Sequence, residues 1–208
     1  MLHTLIVMAF GFLAASANAA AIQANPAEGP KEFAARYAPN DASEVVHVAP
    51  VSAWNLNKPL IVAFYQYPVS YADKSKNYGD SPNESEVLGV VFVPISPTEY
   101  RHFEIDGYGP EGANAEINSF FFARTDKTSD EKLFVMVSWH NNNGVLYSTY
   151  VYDKPQLTSA TTKLTYLKEL SQRFGLECDY CSDGDKPGKP AKFKKAADVK
   201  AELKKLIK

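Results

Sequence analysis

Residues 116–153 read EINSFFFARTDKTSDEKLFVMVSWHNNNGVLYSTYVYD, which is three apolar runs separated by two short polar loops. Each run is long enough for one strand, and each loop is of hairpin length. The pattern predicts an antiparallel meander with strands at 117–124, 132–140 and 145–152. Side chains alternate across a strand, so Leu133, Val135, Val137 and Trp139 face one way, and Phe134 and Met136 face the other. Val145, Tyr147 and Val151 likewise oppose Leu146, Tyr150 and Tyr152. Neither face is polar, and a strand that is apolar on both faces needs cover on both sides. The meander is therefore expected in the middle of the fold, either with helices on one side and a second layer on the other or as part of a strongly curled sheet. Asn143-Gly144 is the pair expected at the second turn, because both residues tolerate positive φ.

Upstream, residues 44–48 (EVVHV), 60–67 (LIVAFYQY), 86–95 (EVLGVVFVPI) and 100–107 (YRHFEIDG) read as further strands. Pro68 stops the second of these, since proline cannot donate to a ladder. Residues 30–37 fit two helical turns, with Pro30 at the first position and Phe33 and Tyr37 on one face. Downstream, Leu164, Leu167, Leu170 and Phe174 recur at helical spacing, with Thr158 or Ser159 as the cap and Gly175 just past the end. A last helix at 196–207 presents Val199, Leu203, Leu206 and Ile207.

Strands first and helices later argue against a parallel βαβ sheet. The expected class is α+β: a mostly antiparallel sheet of about six or seven strands around the meander, followed by two C-terminal helices. The alternative is a β-sandwich or barrel with a helical appendage.

The chain has 208 residues, near the size of one domain. Residues 2–15 are apolar and too short for a membrane span, which needs roughly 20 residues. Ala17 and Ala19 then fit a small-x-small cleavage site, so residues 1–19 are expected to be a signal peptide. Residues 20–43 form an expected loose arm with a short helix, and 44–208 one globular domain. The mature protein is expected to be exported, periplasmic or extracellular, with no transmembrane segment after cleavage. Cys178 and Cys181, the only cysteines, are expected to form a disulfide there. So short a loop contributes roughly 2 kcal/mol on chain-entropy grounds. A redox role is disfavoured by Glu177, Asp179, Asp183 and Asp185, which favour the protonated thiols.

Residues 186–208 carry nine lysines, and the rest of the chain is acidic on balance. That distribution does not suit a nucleic-acid binder, and none is expected as a partner. Lys194, Lys195, Lys200, Lys204 and Lys205 are candidates for contact with an anionic surface, set against the plainer role of a solvated helix face.

Among candidate sites, His102, Glu104 and Asp106 share one face of a strand by period two. An imidazole with carboxylates suits zinc, iron or manganese, and an outward wet face is the plain alternative. The polar stretch 69–85 and the hairpin at 141–144 offer loop surfaces for binding, with Tyr71, Tyr78, Asn141, Asn142 and Asn143 as contact candidates. In residues 179–190, Cys181 and Pro190 stand where an EF-hand needs oxygen ligands. Residues 122–139 resemble one repeat of the FG-GAP or VCBS type, through Asp126, Asp130, Leu133 and Val135. Only one copy is present where that family repeats in tandem, so neither calcium nor a propeller is expected from it.

No nucleophile elbow, zinc-protease helix or phosphate-binding loop motif occurs. The expected function is a small exported binding protein with an unidentified ligand, with another exported protein as the candidate partner, in the manner of an inhibitor or immunity protein. The alternative is an exported metal-dependent enzyme or metal-binding protein using the 102/104/106 face. No cofactor is named by the sequence.

Overall fold

The computed structural model describes residues 21–69, 84–127, 130–157, 161–181 and 188–207. The predicted cleavage site, Tyr71, Tyr78, Thr158 and Ser159 lie outside them.

Nine strands and three short helices are described: β1 Ile22–Gln23, α1 Pro30–Arg36, β2 Glu44–Val51, β3 Leu60–Pro68, β4 Ser85–Pro94, β5 Glu99–Tyr108, β6 Ala115–Ala123, β7 Lys132–Asn141, β8 Gly144–Tyr152, α2 Lys168–Gln172, β9 Leu176–Asp179 and α3 Ala196–Leu206. They form two sheets, in the orders β1-β5-β4-β3-β2 and β6-β7-β8-β9, and every pairing within them is antiparallel.

The sheets face each other across a shared core. Leu60, Val62 and Phe64 of β3, with Val87, Val91 and Val93 of β4, meet Leu133, Val135, Val137 and Trp139 of β7. Phe64 packs on Phe120 with ring centroids 5.5 Å apart, and Trp54 packs edge-on to Phe122 at 5.2 Å. Both indoles reach a polar partner: Trp54 Nε1 donates to the Glu131 carbonyl at 2.8 Å and Trp139 Nε1 to the Gly109 carbonyl at 2.9 Å. Phe134 and Met136 point the other way, into a second cluster under α2 and α3 with Phe174, Phe193, Val199 and Leu203. The two-faced apolar meander thus lies between a second sheet and helices. The outer face of the first sheet packs Ile61, Ala63, Tyr65, Val90 and Phe92 against Phe33 and Ala34 of α1.

The architecture is mostly antiparallel and β-rich, as expected, but with nine strands in two sheets instead of one sheet of six or seven. The two extra strands are β1 and β9, which are short and read as polar or loop-like in isolation. Residues 22–37 are a packed layer instead of a loose arm: Ile22 pairs with Tyr100, and Tyr65 Oη donates to the Ala34 carbonyl at 2.8 Å.

The helix expected from Leu164 to Phe174 shrinks to the five residues of α2. Residues 162–167 are instead extended. Glu104 N donates to the Thr162 carbonyl (2.9 Å) and Leu164 N to the Glu104 carbonyl (2.8 Å). Asp153 N reaches the Thr165 carbonyl (2.9 Å), and Leu167 N reaches the Val151 carbonyl (2.8 Å). Backbone groups of two strands are satisfied this way, and that outweighs a weak helical pattern rich in threonine. This cross-tie joins β5 of one sheet to β8 of the other.

The second hairpin also departs from expectation. Asn141 pairs with Gly144, so Asn142 and Asn143 form the turn, and neither has positive φ. Gly144 begins β8 at φ 145°, where a Cβ would lie 2.6 Å from Cys181 Sγ and 2.8 Å from the Asp179 carbonyl. The glycine is required both by its positive φ and by this crowded contact with β9.

Candidate functional site

The site begins with an irregularity in β5. Val90 pairs with Glu104 and Leu88 with Gly107, so Ile105 and Asp106 together oppose Gly89. A bulge of this kind breaks strict alternation. Gly89 faces the crowded side of the bulge, where a Cβ would lie 3.0 Å from the Phe64 ring and 3.1 Å from Ile105. His102 and Glu104 keep the outward direction while Phe103 and Ile105 are buried. Asp106, the extra residue, turns to the seam between the sheets.

There Asp106 Oδ2 accepts from Tyr152 Oη at 3.0 Å, and Tyr152 Oη accepts from Tyr108 Oη at 3.1 Å. Asp106 Oδ1 accepts from Lys163 Nζ at 2.9 Å and from Gly107 N at 3.0 Å. Lys163 Nζ also donates to Glu104 Oε1 at 2.9 Å. Burial pushes both phenols far above the ordinary tyrosine value, and the Asp106 charge adds to the effect. A phenol held so firmly protonated donates hydrogen bonds but is not poised for acid–base work near neutral pH. Partial burial opposes the charge on Lys163, yet its hydrogen bonds to Asp106 and Glu104 outweigh this and raise its pKa. The seam is thus a clasp that closes one side of the two sheets.

Beside the clasp, on the outer face of the first sheet, lies a cavity of about 290 Å³. Leu88, Val90 and Phe92 of β4 make its floor, and Tyr37 at the end of α1 makes a wall. His102, Glu104 and Thr162 bring polar groups to it. The Tyr37 ring is held by the Arg36 guanidinium, 4.5 Å above it, which also donates to Tyr37 Oη at 2.7 Å. Arg36 is itself paired with Glu28, whose carboxyl is held below its ordinary pKa by that hydrogen bond. Larger hollows of about 560 and 570 Å³ lie beside Leu206 and Ile95 and are more open to solvent.

Of the 102/104/106 set, then, Glu104 and Asp106 converge on an ammonium group and His102 stands apart over the cleft. Among the described residues no group of three or more His, Cys, Asp or Glu side chains gathers in a metal-binding arrangement. Cys178 and Cys181 are paired, with Cα atoms 5.6 Å apart. Asn141 Nδ2 donates to the Glu111 carbonyl at 3.1 Å, which ties that side chain to the β5–β6 connection, while Asn142 and Asn143 are exposed.

The lysines are largely committed. Lys194 pairs with Asp179 at 3.2 Å, Lys205 pairs with Glu202 at 2.9 Å, and Lys200 lies 4.6 Å over the Phe121 ring. Lys195 N, at the start of α3, donates to Asp198 Oδ2 at 3.0 Å, while the Lys204 side chain is exposed. Glu177 and Asp179 serve folding too: Glu177 Oε2 accepts from Phe193 N (2.9 Å) and Asp179 Oδ1 from Ala191 N (2.8 Å).

Sequence reasoning missed Lys163, Thr162, Tyr37 and Tyr152 as members of this region. Lys163 is 59 residues from Glu104 and carries no local signal. The tyrosine richness of 147–152 was the one available hint for Tyr152. The sequence matches no protein-family model, no curated protein and no solved structure.

Proposed function

We propose that the protein is an exported ligand-binding protein, and that the cleft between α1 and β5 is its binding site. The observation that carries this is convergence: His102, Glu104 and Thr162, from two separate segments, meet over an apolar floor of Leu88, Val90 and Phe92. An apolar pocket with a few converging polar groups is the ordinary form of a small-molecule site. The clasp holds Glu104 and Thr162 in place, which lowers the ordering cost of binding. Export is supported by the leader-like first residues, by the Cys178–Cys181 pair, and by the absence, among the described residues, of any helix long and apolar enough to cross a membrane.

The test is a fragment screen on ¹⁵N-labelled protein by two-dimensional NMR. Hits are expected to shift the amides of Leu88, Val90, His102, Glu104 and Thr162 together. A screen whose hits all cluster at other surfaces would reject the cleft. For export, a C-terminally tagged chain is followed by fractionation in its host, and retention in the cytosol would reject that half of the proposal.

A further inference from the structure

Charge around the cleft narrows the ligand class. Two carboxylates, Glu104 and Asp106, share the single ammonium of Lys163, so this group of three carries one net negative charge. The Asp106 oxygens are already engaged by Tyr152, Lys163 and Gly107. Glu104 differs. Its Oε1 accepts from Lys163, and its Oε2 has no hydrogen-bond partner among the described residues. Glu104 is also the member of the group that lines the cleft. The uncompensated charge is therefore presented to the cavity, not to the seam.

Among the described residues no lysine or arginine lines the cleft. Arg36 is held by Glu28 and stacks on the Tyr37 ring. Arg101 has the opposite strand parity, with its guanidinium 5.3 Å over the buried Phe103 ring. The remaining surfaces suit the body of a cation. Phe92 lies in the floor, the His102 ring stands 6.5 Å from it, and Tyr37 forms the wall. Aromatic faces attract cations through their quadrupoles, and the attraction grows as the cation loses water. At about 290 Å³ the cavity holds roughly ten waters' worth of liquid volume, room for a benzyl-sized molecule.

We infer that the cleft takes a small organic cation, with its ammonium against Glu104 Oε2 and its apolar body against Phe92 and Leu88. This rests on the reading of the cleft as a ligand site and adds the sign of the ligand's charge.

The experiment compares three probes of one size on the whole labelled protein at pH 8: benzyltrimethylammonium, benzyl alcohol and benzoate. Affinities are read from the same cleft amides. The expected result is that the cation binds at least about fivefold more tightly than the alcohol, with benzoate the weakest, a modest preference because the site is partly open to solvent. Raising NaCl to 0.5 M should weaken the cation and leave the alcohol unchanged. Glu104→Gln should bring the cation down to the level of benzyl alcohol in that same variant. The salt series needs no variant, so it stands even if Glu104→Gln disturbs the clasp.

Equal affinities, or benzoate the tightest, would overturn the cation inference while leaving the cleft a ligand site. No shift of the cleft amides by benzyltrimethylammonium would also overturn it, and the fragment screen then decides separately whether the cleft binds anything.

Discussion

The two sheets differ most on their outer faces. The second sheet is closed: α2, α3, Phe174 and Phe193 cover Phe134, Met136 and Val151 completely. The first sheet has only α1, and its cover stops short. A helix of seven residues reaches about 10 Å, against about 16 Å for the eleven of α3. Leu88 is left half-buried beside the cleft, while Phe134 on the other sheet is fully buried. The same two-faced apolar strand pattern thus yields a sealed core where the cover is long and a cavity where it is short. The cleft is a consequence of how far a helix extends, not of any special strand sequence.

The largest expected effect comes from breaking the closed side. Phe134 stacks on Phe121 at 5.0 Å and meets Phe174 edge-on at 5.9 Å. Phe134→Ala should cost about 3–5 kcal/mol in urea unfolding, whereas Leu88→Ala on the open side should cost about 1 kcal/mol. Equal costs would mean that the two faces are equally sealed.

Next comes the clasp between them. Tyr152→Phe removes the donor to Asp106 Oδ2 and leaves the buried Tyr108 hydroxyl without its acceptor, for an expected loss of about 1–3 kcal/mol by the same measurement. A neutral variant would show that water satisfies both groups.

Smallest is Lys163→Met. The lysine's pKa is raised by folding, so its stabilisation is fully present below the ordinary lysine value of about 10.4 and is lost as pH rises through the higher folded-state value. Because its side chain is 46% exposed, the effect should stay below about 1 kcal/mol. The gap in urea midpoint between wild type and variant should therefore be larger at pH 7 than at pH 11. A gap that widens with pH would contradict the assignment.

Local patterning revealed much of this fold, and its limits were physical. β3, β4, β7 and β8 announce themselves through β-branched and aromatic runs, and Pro30, Phe33 and Tyr37 mark α1. β1 has two residues, and β9 (Leu176–Asp179) is acidic with no apolar period, so both exist only through the strand beside them. The division into two sheets depends on which edges remain unpaired after folding, and no local residue records that. Leu164 kept its place in the core but not its predicted conformation, because a hydrogen-bonding partner at Glu104 outbid the helix. The candidate site shows the same boundary. Period two correctly sends His102 and Glu104 outward together, but the bulge at Ile105-Asp106 redirects Asp106 to the seam.

The cross-tie at 162–167 has a further consequence, for the order in which the chain is made. Glu104 emerges 59 residues before Lys163. Until then β5 has a bare edge past its short pairing with β1, and the gap between the sheets is unsealed on that side. Unpaired edges are where immature chains stick to one another. A chain folding as it is synthesised or threaded across a membrane would carry this open edge through most of its passage and close it only near the end. Late truncations, even those that spare every strand of the first sheet, should therefore produce aggregation instead of a smaller folded protein.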